Sequence, residues 1–144
     1  MNAKETERLQ QAETEIVDLH RFFEAWMNGI LPESEEAFAR FADVMDDGFE
    51  IVHPDGHLQL LPELTRRLWG AHGLYDQKHP IQIWIDGFRF RLSAGPLTLA
   101  TYEEWQQTGD GTRGRLSTVL FRDDPAAPNG LRWVHVHEVW LPAP

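Results

Sequence analysis

The chain has 144 residues, of which 42% are hydrophobic, a size and composition that suit one domain able to bury a core without a disulfide or a structural metal. It contains no cysteine, which excludes disulfides, thiolate metal sites and cysteine nucleophiles and fits a reducing compartment. The formal net charge of −10 opposes binding to nucleic acid and to anionic membrane surfaces.

The first residues predict a cytoplasmic protein. Met1 to Arg8 is rich in charged side chains, and no apolar run follows that is long enough for a signal core or a membrane span. We therefore expect no membrane partner.

The N-terminal third predicts helices. Apolar residues recur at three- and four-residue steps from Thr6 to Met27, which indicates one long amphipathic helix. Ser34, followed by two glutamates, is typical of the N-cap of a second helix. The apolar positions of this second helix extend to Met45, and Asp46 to Gly48 is predicted to end it.

A short hairpin and a third helix are predicted next. Phe49 to His53 and His57 to Leu60 flank the turn Pro54-Asp55-Gly56, a pattern that favours two short strands. Proline at position 62 suits the first turn of a helix that runs to about Ala71.

Beyond Pro80 the hydrophobic period changes from helical to alternating, which predicts strands. Segments separated by glycine- or proline-containing turns are 81–85, 88–92, 97–107, 115–122 and 131–141. Because these connections are too short for crossover helices, consecutive strands are predicted to be antiparallel. Helices followed by strands predict an α+β fold.

The last strand supplies the most informative pattern. Strict alternation places Trp133, His135 and His137 on one face, and it places Glu138 on the other face together with Val134, Val136 and Trp140. We predict that the glutamate faces inward and that the two imidazoles face outward.

In this order of elements, the closing Trp-x-His-x-His strand resembles the nuclear transport factor 2-like superfamily of cystatin-like α+β cones. Within it the chain is similar to the association (hub) domains of calcium/calmodulin-dependent kinases and to SnoaL-like bacterial proteins. The resemblance extends over nearly all of residues 1–144, taken as one domain, and includes a Phe-Glu-x-x-x-Pro-x-Gly segment at Phe49 to Gly56. It implies N-terminal helices packed on a strongly curved mixed or antiparallel sheet that forms a cone with a pocket. The cone is open at one end, and the outer face of the sheet is often used for dimerisation. Since members include isomerases, cyclases, hydrolases, transport adaptors and oligomerisation hubs, the fold does not fix the function.

The pocket arginines of the hub domains correspond to Glu104, Thr118 and Glu138, and none of them is arginine here. Two carboxylates in a confined pocket would repel an acidic ligand and attract a cationic or hydrogen-bond-donating one. Arg66 and Arg67, on the third helix where the hub domains have a pocket histidine, are the side chains expected to neutralise them.

Three residues are candidate catalytic groups. A carboxylate among apolar neighbours, as Glu138 is, must be paired or raised in pKa, so it is a candidate general base. Glu104 and Tyr102 share one face of their strand and are expected beside it, which would add a second carboxylate and a phenolic donor. A salt bridge to Arg66 or Arg67 is the competing, structural interpretation of Glu138.

The remaining candidate ligand-binding residues are aromatic or histidine side chains. Trp26, Trp69 and Trp84 are core residues by type, and at least one is expected to reach the pocket wall. His135 and His137 could begin a metal site, but no third or fourth ligand follows, so we predict no metal and no cofactor. His53 and His57 are interpreted as parts of a surface hairpin.

Three functions remain open. The leading hypothesis is a small-ligand-binding protein that forms homodimers through the outer sheet face. The second is a SnoaL-like isomerase, cyclase or dehydratase that uses an inner carboxylate as general base. The third is an oligomerisation module. No phosphate-binding glycine loop, nucleophile elbow or His-Glu-x-x-His occurs, which argues against nucleotide chemistry and the common hydrolase mechanisms.

Overall fold

The computed structural model describes residues 1–144 and contains three helices and six strands. In chain order these are α1 (Ala3–Met27), α2 (Glu35–Ala42), β1 (Met45–Val52), β2 (Leu58–Leu60), α3 (Leu61–Gly70), β3 (Gln82–Ala94), β4 (Leu97–Thr108), β5 (Gly111–Asp123) and β6 (Leu131–Trp140). The helices pack on one mixed sheet, so the predicted α+β class is confirmed.

The six strands form one sheet in the order β2-β1-β6-β5-β4-β3. All neighbours are antiparallel except β1 and β6, which run parallel. This parallel pair joins the first strand of the chain to the last, a pairing that the local turns alone do not predict. Register shifts interrupt β1, β3 and the β5–β6 pair, and such bulges bend a sheet and increase its twist.

Two of the three helices, α1 and α2, begin at side-chain caps. The Asn2 side chain accepts the Glu5 backbone N–H, and the Glu5 side chain accepts the Asn2 N–H in return, which forms a capping box for α1. The Ser34 hydroxyl caps α2 at the residue predicted. None of the helices combines the length and the apolarity needed to cross a membrane.

The hydrophobic core lies between α1 and the inner face of the sheet. Ile16 and Leu19 of α1 are almost fully buried and belong to the same apolar cluster as Val119 and Phe121 of β5. Burying large apolar side chains such as these stabilises the fold by about 2 kcal/mol each. The predicted apolar stripe of α1 is therefore the surface that attaches the helix to the sheet.

Two predicted boundaries are wrong. The second helix ends at Ala42, and Met45 begins β1 because it pairs with Trp133, while the Val44 carbonyl accepts the Trp133 N–H. The two strands predicted on either side of Gly87 are one strand, β3, in which Gly87 has φ 60° within a bulge instead of forming a turn.

Candidate functional site

A cavity of about 480 Å³ lies between the sheet, α1 and α3. It is lined by 24 residues, of which 16 are hydrophobic. The apolar walls come from α1, α3 and β1, together with Leu74 and Tyr75 of the α3–β3 loop. A volume of this size is in the range of small-molecule sites in proteins.

The polar residues of the cavity are gathered on the inner face of β4, β5 and β6. The strand register places Tyr102, Ser117 and Glu138 in one row across the sheet. The adjacent row pairs Glu104 with Arg115. Because these side chains have the same parity on neighbouring strands, they share the inner face of the sheet, and all of them except Ser117 line the cavity.

His20 on α1 and Glu104 on β4 form a buried ion pair. His20 Nδ1 lies 2.7 Å from the Ile16 carbonyl oxygen, and His20 Nε2 lies 3.0 Å from Glu104 Oε1. Since both of these oxygens are acceptors, both ring nitrogens donate, and His20 is an imidazolium.

The two pKa shifts agree with this pair. Burial opposes the charge on His20, but the Glu104 carboxylate outweighs burial and raises the pKa of His20 above its ordinary 6.5. Burial also opposes ionisation of Glu104, yet the charge and hydrogen bond of His20 lower the pKa of Glu104 to about 2. Glu104 Oε2 accepts a further bond from Gln106 Nε2. With both oxygens engaged and the pKa low, Glu104 is a weak proton acceptor, which argues against its use as a general base.

The pKa of Glu138 is shifted in the opposite direction to that of Glu104. Its Oε1 accepts from Arg115 Nη1 at 3.2 Å, and its Oε2 accepts from the Ser117 hydroxyl at 3.2 Å. Burial and the nearby Glu104 charge raise the pKa of Glu138 above 4.5, although Arg115 opposes this. Two carboxyl groups whose pKa values are driven apart are a frequent arrangement at acid–base sites.

Tyr102 and Arg115 complete the polar cluster. Burial, together with the Glu104 and Glu138 charges, raises the pKa of the Tyr102 phenol well above 10, so the phenol keeps its proton and can donate a hydrogen bond. The ion pair with Glu138 is formed by the Arg115 guanidinium, and not by Arg66 or Arg67 as predicted. With His20 it compensates the two carboxylates, so the cavity is less acidic than expected from Glu104 and Glu138 alone.

Four of the predicted ligand-binding residues do not line the cavity. Thr118 is exposed on the outer face, opposite in parity to Ser117, which takes the inner position. Arg66 is exposed on α3, whereas Arg67, one residue on, lines the cavity, because Leu64 and Leu68 fix the inward face of that helix.

None of the tryptophans Trp26, Trp69 and Trp84 lines the cavity. Trp84, which was predicted to be a core residue, is 39% exposed. Trp26 is fully buried, and its indole N–H donates to the Leu68 carbonyl oxygen at 2.8 Å. Its ring contacts Trp69 and Phe38 with centroids 5.3 and 5.0 Å away. These aromatic side chains fill the space between the three helices and leave no face toward the cavity.

The last strand follows the predicted sidedness in part. Glu138 points inward and His137 is exposed on the outer face. Trp133, however, is buried and lines the cavity, because the register shift beside Val134 reverses the alternation that should have placed it with the histidines. His53, which was interpreted as a surface residue, also lines the cavity.

Comparison with known families gives a match over most of the chain. The family described as sucrose-6-phosphate phosphohydrolase C-terminal matches residues 12–142. Sucrose-phosphatase 2 of Nicotiana tabacum is 29% identical over 128 residues, and the probable sucrose-phosphatase 2 of Arabidopsis thaliana is 28% identical over 126 residues. Each alignment covers 88% of this chain and about 30% of the relative, so the chain spans less than a third of the length of these proteins.

Solved structures share the fold. An NTF-2 like protein of unknown function from Pseudomonas aeruginosa has a TM-score of 0.79 at 24% identity, covering 92% of this chain and 99% of that one. The CaMKII hub homology domain of Chlamydomonas reinhardtii has a TM-score of 0.64 at 14% identity, with coverages of 91% and 99%. ActVI-ORFA from Streptomyces coelicolor has a TM-score of 0.62 at 14% identity, with coverages of 90% and 97%. The nuclear transport factor 2-like fold implied by the sequence is thereby confirmed.

Proposed function

The chain belongs to the sucrose-6-phosphate phosphohydrolase C-terminal family, and we propose that it binds a small ligand in the cavity between its sheet and its helices. The observation that carries this proposal is a cavity of about 480 Å³ with apolar walls and one polar end. Such a distribution is typical of ligand sites, in which apolar surface supplies affinity and a few polar groups fix orientation.

The charges favour a neutral ligand. Arg115 and the His20 imidazolium balance Glu104 and Glu138, and Arg67 adds one positive charge, so neither a cation nor an anion finds a large excess of opposite charge. The best match is a molecule with an apolar body and hydroxyl or carbonyl groups at one end. The names of the relatives refer to sucrose, which makes sugars a second class to examine, although the apolar walls favour less polar compounds.

Blocking the cavity tests this proposal. Ala71, which lines the cavity beside α3, is replaced by tryptophan, and exposed Ala94 at the end of β3 receives the same change as the matched control. Binding of neutral alcohols, ketones and sucrose is followed by the change in melting temperature and by native mass spectrometry. We expect Ala71→Trp to weaken binding of the compounds that bind the parent protein, and Ala94→Trp to leave it unchanged. Absence of binding by the whole panel, or equal binding by both variants, would argue against the proposal.

A second candidate function is proton-transfer catalysis on the bound ligand. It is favoured by Glu138, a buried carboxyl group with a raised pKa, next to Tyr102, a phenol that keeps its proton. Glu138 would take a proton from carbon next to a carbonyl group while the Tyr102 hydroxyl donates to the oxygen on which negative charge develops. Isomerisation of enolisable ketones should then be abolished in Glu138→Gln and retained in Glu7→Gln, an exposed control.

We also propose that the protein forms a homodimer through the outer face of the sheet. Four apolar side chains lie there on adjacent strands: Trp84, Trp105, Leu116 and Val139. Trp84, Leu116 and Val139 are 39%, 38% and 48% exposed, and a second copy would cover them. The similarity to hub domains supports self-association of this fold.

A further inference from the structure

A chain of three polar side chains leads from α3 to Glu138. Arg67 Nη1 lies 3.4 Å from Gln59 Oε1, and the same oxygen lies 2.8 Å from His53 Nε2. A guanidinium can only donate hydrogen bonds, so the Gln59 atom that it contacts is the oxygen and not the amide nitrogen. Gln59 is only 3% exposed, which keeps its amide from turning freely toward water.

This contact fixes the tautomer of His53. Because Gln59 Oε1 is an acceptor, His53 Nε2 must carry the hydrogen atom. In the neutral imidazole, Nδ1 then has a lone pair and no hydrogen atom. The Nδ1 atom lies 3.8 Å from Glu138 Oε1. The parallel register, which sets Val52 beside His137, is what brings the next residues of the two strands, His53 and Glu138, together.

The gap between Nδ1 and Oε1 therefore separates two acceptors when Glu138 is ionised and His53 is neutral. Facing acceptors repel each other unless a proton or a donor group lies between them. The distance of 3.8 Å is too long for a direct hydrogen bond, and both side chains line the cavity. A ligand group that sits beside the gap, about 2.8 Å from each atom, can bond to both.

We propose that Glu138 and His53 form one proton-sharing pair at the cavity wall and that this pair binds a hydroxyl group of the ligand. Gln59 and Arg67 are positioning residues, because they fix the tautomer of the His53 imidazole. When the Glu138 carboxyl holds the shared proton, the ligand hydroxyl accepts a hydrogen bond from that carboxyl and donates its own hydrogen to His53 Nδ1. When the proton passes along this bridge, the Glu138 O–H bond breaks, an N–H bond forms on Nδ1, and the ligand keeps one hydrogen. The neutral pair becomes carboxylate and imidazolium, and Arg115 and Ser117 already donate to that carboxylate.

This inference rests on the proposed ligand site for its choice of ligand, but the state of the pair does not depend on any ligand. The tautomer is measured in the free protein by long-range proton–nitrogen NMR spectra of nitrogen-15-labelled samples. His53→Gln identifies the His53 signals among those of the seven histidines. We expect neutral His53 to carry its hydrogen on Nε2, and finding it on Nδ1 would overturn the proposal.

The positioning role is tested on the helix that supplies it. Arg67→Met should allow the Gln59 amide to turn and should produce a detectable fraction of the Nδ1–H tautomer. Arg66→Met, on the exposed side of the same helix, is the matched control and should leave the spectrum unchanged. A His53 tautomer that is the same in Arg67→Met and in the parent protein would contradict the role of Arg67.

The choice of ligand group is tested with cyclohexanol and cyclohexanone, which have nearly the same size but differ in whether the oxygen can donate. We expect the alcohol to bind at least about fivefold more tightly, which corresponds to the contribution of roughly one hydrogen bond. This difference should disappear in His53→Phe and in His53→Gln. Equal affinities in the parent protein, or a preference that survives both substitutions, would overturn the assignment of a hydroxyl. If neither probe binds, the result counts against the ligand site itself, and the tautomer spectra still decide whether the pair exists.

Discussion

The His20–Glu104 pair holds two opposite charges on side chains that are only 4% and 9% exposed. Each partner carries the charge that burial alone would remove, so the contribution of the pair to stability depends on pH in a defined window. The pKa of His20 is raised in the folded state, so its contribution is complete below 6.5 and is lost as the pH rises through the folded pKa. The pKa of Glu104 falls from 4.5 to about 2, so its contribution is complete above 4.5 and is lost as the pH falls toward 2.

Glu104→Gln removes the pair while nearly preserving its shape. At about pH 5.5, inside the window, we expect the free energy of unfolding in urea to fall by about 3 kcal/mol, the cost of leaving one buried charge without its partner. At about pH 9 the difference should shrink, because His20 of the parent protein has then lost its charge. Exposed Glu7→Gln should change stability little at either pH. A loss from Glu104→Gln that is the same at both pH values would show that His20 is not charged.

The pKa of Glu138 is raised by burial and, next, by the Glu104 charge. Removing that charge in Glu104→Gln should therefore lower the pH at which the Glu138 carboxyl titrates. Carbon-13 NMR of the side-chain carboxyl carbons follows this titration directly, with Glu138→Gln to identify the signal. A midpoint at or below 4.5 in the parent protein, or one that does not move in Glu104→Gln, would contradict the arrangement of charges.

At the residue scale, the sequence predicts the inner carboxylates better than their partners. Alternation along β4 and β6 is enough to place Tyr102, Glu104 and Glu138 on inner faces. Alternation along β5 also places Arg115 and Ser117 on the inner face of the sheet, because they lie four and two residues before the buried Val119. The same count places Thr118 on the outer face. His20 could have been noticed because it follows Ile16 by four residues on the apolar side of α1, but its partner lies 84 residues away and no local pattern reveals it.

At the element scale, one buried carboxylate ties α1 to its neighbours. Glu15 is fully buried, and its oxygens accept from Arg40 of α2, from Asn129 of the β5–β6 loop and from the Trp133 indole N–H of β6. Trp133 lines the cavity, so Glu15 also fixes one of its walls.

Glu15→Ala should be among the most destabilising single changes in α1. It leaves the buried Trp133 N–H without an acceptor and the Arg40 guanidinium without its carboxylate, so we expect the free energy of unfolding to fall by about 3 kcal/mol. Glu13→Ala, two residues earlier on the exposed face, is the control and should have little effect. Urea unfolding followed by tryptophan fluorescence measures both, and similar losses for the two variants would refute the role of Glu15.

The elements show why local patterns are insufficient. The period of α1 and the Ser34 cap predict the helices because each depends on residues close in sequence. The start of β1 at Met45 depends on its pairing with Trp133, which is 88 residues away in the chain. The helical spacing of Met45 therefore led to the wrong prediction that the second helix extends to this residue. The register shift beside Val134 likewise depends on how β6 pairs with β5, and strict alternation cannot anticipate it.

At the scale of the whole molecule, the proposed homodimer depends on the outer face of the sheet. If two copies cover the apolar side chains of this face, light scattering should give a mass of about twice 16.6 kDa. Trp84→Asp should produce a monomer, because it places a charge in the covered area. Leu74→Asp, at a residue that is 63% exposed on the α3–β3 loop, should leave the mass unchanged. A monomer at every concentration of the parent protein would contradict the proposed dimer.

The cavity with its two unlike carboxyl groups is the feature on which the proposed functions depend. The most direct test is a crystal structure of the protein soaked with the alcohol or ketone that binds most tightly. We predict electron density inside the cavity, with an oxygen atom of the ligand within hydrogen-bonding distance of the Glu138 carboxyl group. A cavity closed by the protein's own side chains, or a ligand bound only on the outer surface, would contradict this account.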